Sequence, residues 1–320
     1  MVQMATIDKH GTGWRARVRR GGVSKTESFR TKTEATAWAA QLEADIAAGR
    51  RGNIPDHSFR ELIERYEREV TPTKRGARPE SLRLKRTMDD DLAKIRLPDL
   101  DATHIAAWRD RRMGKVGTAS TRREWCTLSH ACNVAIREWR WLDKNPFSMV
   151  TKPAPPKARK RRPKEGEIDR ILHCLGYNRE GAIETKSAAV GAAALFAIET
   201  AMRQGEIASL DRANIKGRVA HLTKTKNGDE RDVPLSKAAL EILARLPERG
   251  DETAPVFGLK ATHIDALWRK AKGRGEVVGL TFHDLRREAT TRLAKKLDVM
   301  TLAKVTGHRD LRILHAVYYA

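Results

Sequence analysis

The chain has 320 residues, 40% of them hydrophobic, and carries a formal net charge of +22 with a sequence pI of about 10.3. This length and apolar content exclude a disordered chain and allow two or three globular domains. The basic excess attracts polyanions, and the sequence lacks a long apolar run or signal peptide. We therefore expect a cytoplasmic protein that binds nucleic acid, with no membrane partner.

Residues 1–50 are predicted to form a three-stranded sheet followed by a helix. Trp14, Ala16 and Val18 alternate with three arginines, which predicts a strand with one apolar and one basic face. These arginines are Arg15, Arg17 and Arg19. A Gly-Gly pair then predicts a hairpin turn, and Thr33 is the predicted N-cap of the helix. The basic face favours contact with DNA, because a two-stranded ribbon fits the major groove; a solvated strand face is the alternative.

Residues 57–150 are predicted to form a helical bundle. Apolar side chains recur there at helical spacing, and one such stripe, at Leu82, Met88, Leu92 and Ile95, predicts a second helix that continues through Ile95. The stripes indicate a shared core. The opposite helix faces are rich in arginine, which either solvates the surface or contacts phosphates.

Residues 151–164 form the clearest predicted boundary, a linker in which three prolines precede a basic run with no acidic residue. The cations that we expect to contact DNA here are Lys157, Arg159, Lys160, Arg161 and Arg162. A solvated interdomain linker is the simpler alternative. A linker this basic would also neutralise phosphates while it passes along a duplex.

Residues 165–320 are predicted to form a third domain, of mixed α/β structure. Most of it has helical patterning, and a hairpin around Asn227-Gly228 predicts one small sheet. The whole chain is therefore expected to have a mainly α fold with small β elements.

This third domain also carries the residues with the clearest chemical pattern. In chain order they are Arg203, Lys226, His283, Arg286, His308, Tyr318 and Tyr319. Guanidinium groups can hold the nonbridging oxygens of a phosphodiester, whose charge grows in the transition state. A hydroxyl can attack the phosphorus and become covalently attached, and a lysine or histidine can protonate the leaving oxygen. The set is therefore suited to phosphodiester cleavage without a metal, and no metal-ligand cluster is expected from three cysteines that lack a CxxC spacing.

Each member of this set also has an ordinary explanation when taken alone. Arg203 lies three residues before Glu206, the spacing of a helical ion pair. Lys226 is a typical solvated turn lysine, and His308 follows a glycine where a histidine could bond the last carbonyls of a helix. An HxxR pair such as that at His283 is common by chance. Only the order and spacing of the whole set are specific.

In that order the set resembles the catalytic domain of the tyrosine recombinases, the phage-integrase family. The matching segments are MRQGE, TKNGDERDVPL, HDLRR, TGHRD and VYYA. The resemblance extends upstream. Residues 57–147 look like the core-site-binding domain of this family, and residues 1–48 look like its arm-site-binding domain.

The resemblance implies a role for each matching residue. Arg203 and Arg286 would clamp the scissile phosphate, Lys226 would protonate the leaving 5′ oxygen, His283 would assist proton transfer, and His308 would hydrogen-bond a phosphate oxygen.

Tyr318 would attack the phosphorus to form a 3′-phosphotyrosine. The tyrosine is doubled, however, at ten and eleven residues after His308. The spacing favours Tyr318, and Tyr319 is the alternative. The sequence ends at Ala320, directly after the pair, so a truncated chain is an alternative to an active recombinase.

As a member of this family the chain would integrate or excise a phage or other mobile element in a bacterial cytoplasm. It would need no cofactor, would act as a homotetramer on double-stranded DNA, and would work with DNA-bending and directionality proteins. Two alternatives stay open: a type IB topoisomerase, and a truncated or catalytically inactive sequence-specific DNA-binding protein.

Overall fold

The computed structural model describes residues 5–20, 23–47, 54–156, 159–223, 230–248 and 250–319. The chain divides into two compact units, Met1–Ala158 and Arg159–Ala320. The Gly21-Gly22 turn, Lys157 and the tip of the predicted second hairpin, including Lys226, lie outside the described residues. The predicted domain boundaries stay predictions.

The N-terminal part of the first unit is a three-stranded antiparallel sheet covered on one face by a helix. Its elements are β1 (Thr6–His10), β2 (Gly13–Arg20), β3 (Val23–Phe29) and α1 (Lys32–Ala47), with strand order β1-β2-β3. Ala16 and Val18 of β2 are fully buried against Ala35 and Leu42 of α1. The predicted alternation is therefore confirmed, and the alternating residues Arg15, Arg17 and Arg19 lie on the face away from the helix.

The predicted start of α1 was wrong by two residues. The helix begins at Lys32, and the side-chain oxygen of Thr31 accepts a hydrogen bond from the backbone N–H of Glu34 at 3.3 Å. The Glu34 carboxylate in turn accepts from the backbone N–H of Thr31 at 3.1 Å. This reciprocal pair makes Thr31 the cap in place of Thr33.

Residues 59–149 of the first unit are mainly helical. Its α-helices are α2 (Phe59–Glu69), α3 (Ala77–Met88), α4 (Ala102–Val116) and α5 (Thr118–Val134). They share one hydrophobic core that includes Phe59, Tyr66, Trp108 and Leu128, all at most 1% exposed. The helical bundle that apolar spacing predicts for this part of the chain is confirmed.

The second predicted helix ends earlier than expected. α3 stops at Met88, and Leu92 belongs to a separate 3-10 turn, Asp91–Lys94. The Asp90 side chain accepts from the backbone N–H of Leu92 at 3.0 Å, which caps this turn. The apolar spacing continues because both segments pack on the same core, so periodicity alone could not locate the break.

The second unit is a mixed α/β assembly. Its helices are α6 (Glu167–Cys174), α7 (Lys186–Thr200), α8 (Gln204–Ser209), α9 (Lys237–Ala244), α10 (Ala261–Arg274), α11 (Phe282–Ala294), α12 (Val299–Thr306) and α13 (Leu311–Leu314). A small antiparallel sheet has the order β4 (Ile215–Lys216), β5 (Val219–Leu222), β6 (Arg231–Pro234). The alanine-rich α7 is buried on nearly all sides at the centre of the core, which lets neighbouring helices such as α11 approach it closely.

The mainly α fold class with small β elements is confirmed. None of the helices in the described ranges combines the length and the apolar character needed to cross a membrane.

Candidate active site

The turn between α7 and α8 presents the first predicted site residue, Arg203. After α7 ends, Ala201 takes the left-handed conformation with φ of 53°. A non-glycine residue adopts this conformation at a cost of about 1 to 2 kcal/mol, so the surrounding contacts must hold it there. Arg203 follows in an extended conformation directly before α8, and 21% of its side chain is exposed.

Glu206 holds Arg203 in place from the first turn of α8. The Glu206 carboxylate accepts from the backbone N–H of Arg203 and from its Nη1, both at 2.8 Å. It also accepts from Nη1 and Nη2 of Arg231 at 2.9 and 2.7 Å. Burial would raise the pKa of Glu206, but the hydrogen bonds from Arg231 and Arg203 outweigh it and lower the pKa to about 2. Glu206 is therefore a buried carboxylate that stays charged.

Three successive carbonyls at the end of α12 each accept a hydrogen bond from a different arginine. The pairs are Arg231 Nε with Val305 at 3.0 Å, Arg286 Nη2 with Thr306 at 2.6 Å, and Arg203 Nη2 with Gly307 at 3.2 Å. The last carbonyls of a helix lack intrahelical partners and bear the negative end of its dipole, so cations are stabilised there. The end of α12 thereby gathers arginines from three other parts of the unit.

Arg286 is the most buried of these three arginines. It lies on α11 with 4% of its surface exposed, and its Nη1 donates to the carbonyl of Ala201 at 2.7 Å. Burial, and then the charge of Arg203, lowers the pKa of Arg286 to about 10. This value is still well above neutral pH, so Arg286 stays cationic. Its bonds join the strained turn after α7 to the end of α12.

His308 leaves the end of α12 directly after Gly307, whose φ of 68° ends the helix in the left-handed conformation. The hydroxyl of Thr306 donates to the carbonyl of Leu302 at 2.6 Å, so its oxygen accepts from Nδ1 of His308 at 2.7 Å. In the neutral ring, Nε2 is then an acceptor. Arginines, rather than this histidine, bond the last carbonyls of α12.

The histidines of this cluster are neutral at pH 7. Burial, and then the charges of Arg286, Arg203 and Arg231, lowers the pKa of His308 to about 4. His283 is in the first turn of α11 with an exposed side chain. Partial desolvation and then the charge of Arg286 still lower the pKa of His283.

The two C-terminal tyrosines differ in what their hydroxyls contact. Both lie in the π-helical turn His315–Tyr319 and both are half-buried. The Tyr319 hydroxyl donates to the carbonyl of Leu297 at 2.5 Å. The Tyr318 ring lies 6.0 Å from the Arg287 guanidinium.

The charges in the cluster leave an excess of positive charge. Arg203 and Arg231 share the single carboxylate of Glu206, and Arg286 bonds two carbonyl oxygens that carry no formal charge. An anion beside Arg203 would balance this excess and would meet a guanidinium that is partly exposed. The arrangement is chemically suited to bind a phosphate-like group.

The basic segment before α6 is engaged with carboxylates of its own unit. Arg159 bonds Asp284 at 2.9 Å, Arg161 bonds Glu167 at 2.5 Å, and Arg162 bonds Glu288 at 2.7 Å. Lys160 is exposed. Any phosphate that these arginines contact must therefore compete with buried or nearly buried carboxylates.

The arginines of β2 are in the other compact unit. Arg15 bonds Asp8 of β1 at 2.5 Å, Arg17 is half-buried, and Arg19 is exposed. They share one sheet face, as predicted, but one of them is neutralised by a carboxylate.

Sequence reasoning missed two members of the cluster. The sequence pattern identifies Glu206 only as an ordinary partner of Arg203, and it does not identify Arg231 as a site residue. Strand alternation contains a signal for Arg231, because it lies two residues before the fully buried Val233 and so shares its inward face. An inward-facing arginine needs a buried acceptor.

Comparisons with known proteins show which family the chain resembles. The phage integrase family model matches residues 162–320. A Haemophilus influenzae protein with the provisional name integrase/recombinase is 45% identical over 324 residues, covering 99% of this chain and 87% of that protein. The shufflon-specific DNA recombinase of Escherichia coli is 34% identical over 269 residues, covering 80% of this chain and 67% of that protein.

A solved structure has the same fold. The lambda integrase dimer bound to a COC′ core site matches with a TM-score of 0.68 at 18% identity, covering 98% of this chain and 94% of that chain. The matches in sequence, and the fold, lead to one conclusion: the chain belongs to the phage integrase family, the tyrosine recombinases.

Proposed function

We propose that this chain is a site-specific recombinase that cuts and rejoins double-stranded DNA through a 3′-phosphotyrosine intermediate. The observation that carries the proposal is the convergence of Arg203, Arg286 and His308 at the end of α12, with an excess of positive charge. The two arginines hold the nonbridging oxygens of the scissile phosphate, where charge develops in the transition state.

In the first step, the Tyr318 phenol gives its proton to the neutral His283, its oxygen attacks the phosphorus, and the bond to the 5′ oxygen breaks. Lys226 donates the proton that the leaving 5′ oxygen needs, and His283 assists proton transfer. The neutral Nε2 of His308 takes up a proton as the phosphate binds and then donates to a phosphate oxygen, because its Nδ1 already donates to Thr306. A 5′ hydroxyl from a second duplex reverses the reaction, so the bond energy is conserved.

The biological role that we propose rests on membership of the family. We infer that the chain integrates or excises a phage or other mobile element, acting as a homotetramer on DNA with accessory proteins in a bacterial cytoplasm. The arginines of β2 and the cations at 157–162 are the proposed DNA contacts outside the cluster. They include Arg15, Arg17, Arg19, Lys157 and Lys160. The names of the curated relatives, which describe recombination, support this assignment.

The test is covalent capture. The full chain is incubated with a pool of nicked duplexes whose central segment is randomised, and protein-linked DNA is isolated under denaturing conditions and sequenced. We expect a covalent adduct on one shared sequence motif, with the DNA attached to Tyr318. A nick near the cleavage site lets the short 5′-hydroxyl strand diffuse away, which traps the adduct.

The alternative candidate is a sequence-specific DNA-binding protein without strand-transfer activity. The same pool distinguishes the two, because a binding protein would enrich a motif in native complexes but leave no DNA attached after denaturation. An adduct on every duplex, without a motif, would instead indicate a type IB topoisomerase.

A further inference from the structure

Arg231, like Arg286, is largely withdrawn from solvent, and all three of its guanidinium nitrogens donate hydrogen bonds within the protein. Only 8% of its side chain is exposed. Nη1 and Nη2 donate to the two oxygens of Glu206, and Nε donates to the carbonyl of Val305. These bonds use three of its five N–H donors, and the low exposure of the side chain limits the access of a phosphate to the other two. Its function must lie in what it holds together.

The first element that Arg231 holds is the start of α8. Glu206 bonds Arg203 through both its backbone N–H and its Nη1. Arg231 binds both oxygens of the same carboxylate in a bidentate fork, a geometry that fixes the plane of the carboxylate. The direction of the Arg203 side chain therefore depends on Arg231 through Glu206.

The second element is the end of α12. Besides its bond to Val305, Arg231 lies against Gly307, where an added Cβ would come within 3.1 Å of its Nη1. The next residue is His308. Arg231 thus packs on the turn from which this histidine leaves the helix.

The third element is the hairpin. Arg231 is the first residue of β6 and pairs in register with Leu222, the last residue of β5. The chain between these two residues contains Lys226. Arg231 therefore lies at the base of the hairpin that carries the proposed general acid.

We propose that Arg231 is a positioning residue for strand cleavage, which fixes Arg203, the end of α12 and the base of the Lys226 hairpin relative to one another. This inference rests on the proposed function. It assigns Arg231 no contact with DNA. A displacement of about 1 Å in a reacting group can lower a rate about 100-fold. Loss of the hydrogen bonds that Arg231 makes should therefore lower the rate of the chemical step more than the affinity for DNA.

The experiment compares Arg231→Gln and Arg231→Lys with the wild-type chain. Leu243→Ala is the matched control, because it removes a core side chain of α9 that is 4% exposed and lowers stability without touching the cluster. The probe is the nicked duplex selected by covalent capture. We expect the single-turnover rate of adduct formation at saturating duplex to fall about 10- to 100-fold in Arg231→Gln, with dissociation constants within about twofold of wild type. The lysine variant keeps the charge but not the fork, and it should lose about as much of the rate.

A second measurement uses the DNA-free chain. Proton exchange at Nη1 and Nη2 of Arg203, which donate to Glu206 and Gly307, should accelerate in both Arg231 variants and stay unchanged in Leu243→Ala when followed by NMR. Should Arg231→Gln fail to fold, the lysine variant carries the same comparison.

The outcomes separate the two proposals. No adduct from the wild-type chain refutes the proposed function, and this role with it. An adduct formed at equal rates by wild type and the Arg231 variants overturns the positioning role alone, as does an unchanged exchange at Arg203.

Discussion

The hydroxyl of Tyr319 donates to the carbonyl of Leu297 at 2.5 Å, directly beyond the end of α11. This bond ties Tyr319 to the body of the second unit. Tyr318, its neighbour, instead places its ring 6.0 Å from the Arg287 guanidinium. The two tyrosines therefore differ in their contacts, and the assignment of Tyr318 as the nucleophile stays a prediction.

The first prediction concerns this pair. Tyr318→Phe should abolish the covalent adduct while leaving duplex binding within about twofold, because it removes only the attacking oxygen. Tyr319→Phe should still form the adduct, and it should lower the free energy of unfolding by about 1 kcal/mol through loss of the bond to Leu297. Denaturing gels and urea unfolding measure the two effects. An adduct that persists in Tyr318→Phe and disappears in Tyr319→Phe would reverse the assignment.

The second prediction concerns Glu206. Glu206→Ala leaves the guanidiniums of Arg203 and Arg231 facing each other without a carboxylate. Breaking a buried ion pair from one side typically costs about 3 to 5 kcal/mol, and we expect a loss in that range by chemical denaturation. The control is Glu241→Ala, which removes an exposed partner of Lys237 at 3.8 Å and should cost less than about 1 kcal/mol. Equal losses in the two variants would show that Glu206 has no special structural role.

The third prediction is a pH dependence of stability. The pKa of His308 is lowered to about 4 in the folded chain, against an ordinary value of 6.5. Between these values the unfolded chain binds a proton that the folded chain does not, so the free energy of unfolding falls as the pH drops from 6.5 toward 4. The contribution is fully present above pH 6.5. His308→Gln should weaken this dependence in thermal unfolding between pH 7 and pH 5.

The pKa of His283 is also lowered, chiefly by burial, so this histidine also makes the free energy of unfolding fall as the pH drops. Part of the pH dependence should therefore remain in His308→Gln. The stability that the Glu206 carboxylate contributes is lost between its ordinary pKa of 4.5 and its folded pKa of about 2. It therefore changes little between pH 7 and pH 5. If the free energy of unfolding of His308→Gln changes with pH as steeply as that of the wild-type chain, His308 is not held neutral in the folded chain.

The fourth prediction tests Lys226 as the general acid. Lys226→Ala should slow adduct formation on a normal duplex by about 100-fold or more, since general acid catalysis typically contributes about 10²- to 10⁴-fold. A duplex with a sulfur in place of the bridging 5′ oxygen has a leaving group that needs no proton. Cleavage of that duplex should be nearly as fast in Lys226→Ala as in wild type. Equal defects on both duplexes would exclude this role.

The fifth prediction separates DNA contact from internal pairing in the basic segment before α6. Lys160 is exposed, and Lys160→Ala should reduce the salt dependence of duplex binding by about one phosphate contact. Arg162 is half exposed and bonds Glu288, which also keeps a bond from Arg292 at 2.8 Å, so Arg162→Ala should lower the free energy of unfolding by less than about 1 kcal/mol and leave the salt slope nearly unchanged. An unchanged salt slope in Lys160→Ala would show that this lysine does not reach phosphate.

Local patterns predicted much of the fold. The alternation of Ala16 and Val18 with arginines specified the strand and its buried face, because side chains on a strand alternate strictly. Periodicity could not find the break after Met88, since the helix and the following turn pack on one core. The cap at Thr31 was missed because Thr33 offers the same side-chain chemistry, and only the bonds to Glu34 decide between them.

The sequence by itself determined the family and the identity of the candidate residues, because their order along the chain is specific even when each residue is commonplace. Tertiary structure alone decided how they are held. Arg203, Arg231 and Arg286 are distant in sequence, yet they meet at three consecutive carbonyls of α12. The physical reason is that a helix end leaves carbonyls unsatisfied, and which cations reach them depends on the packing of the whole unit.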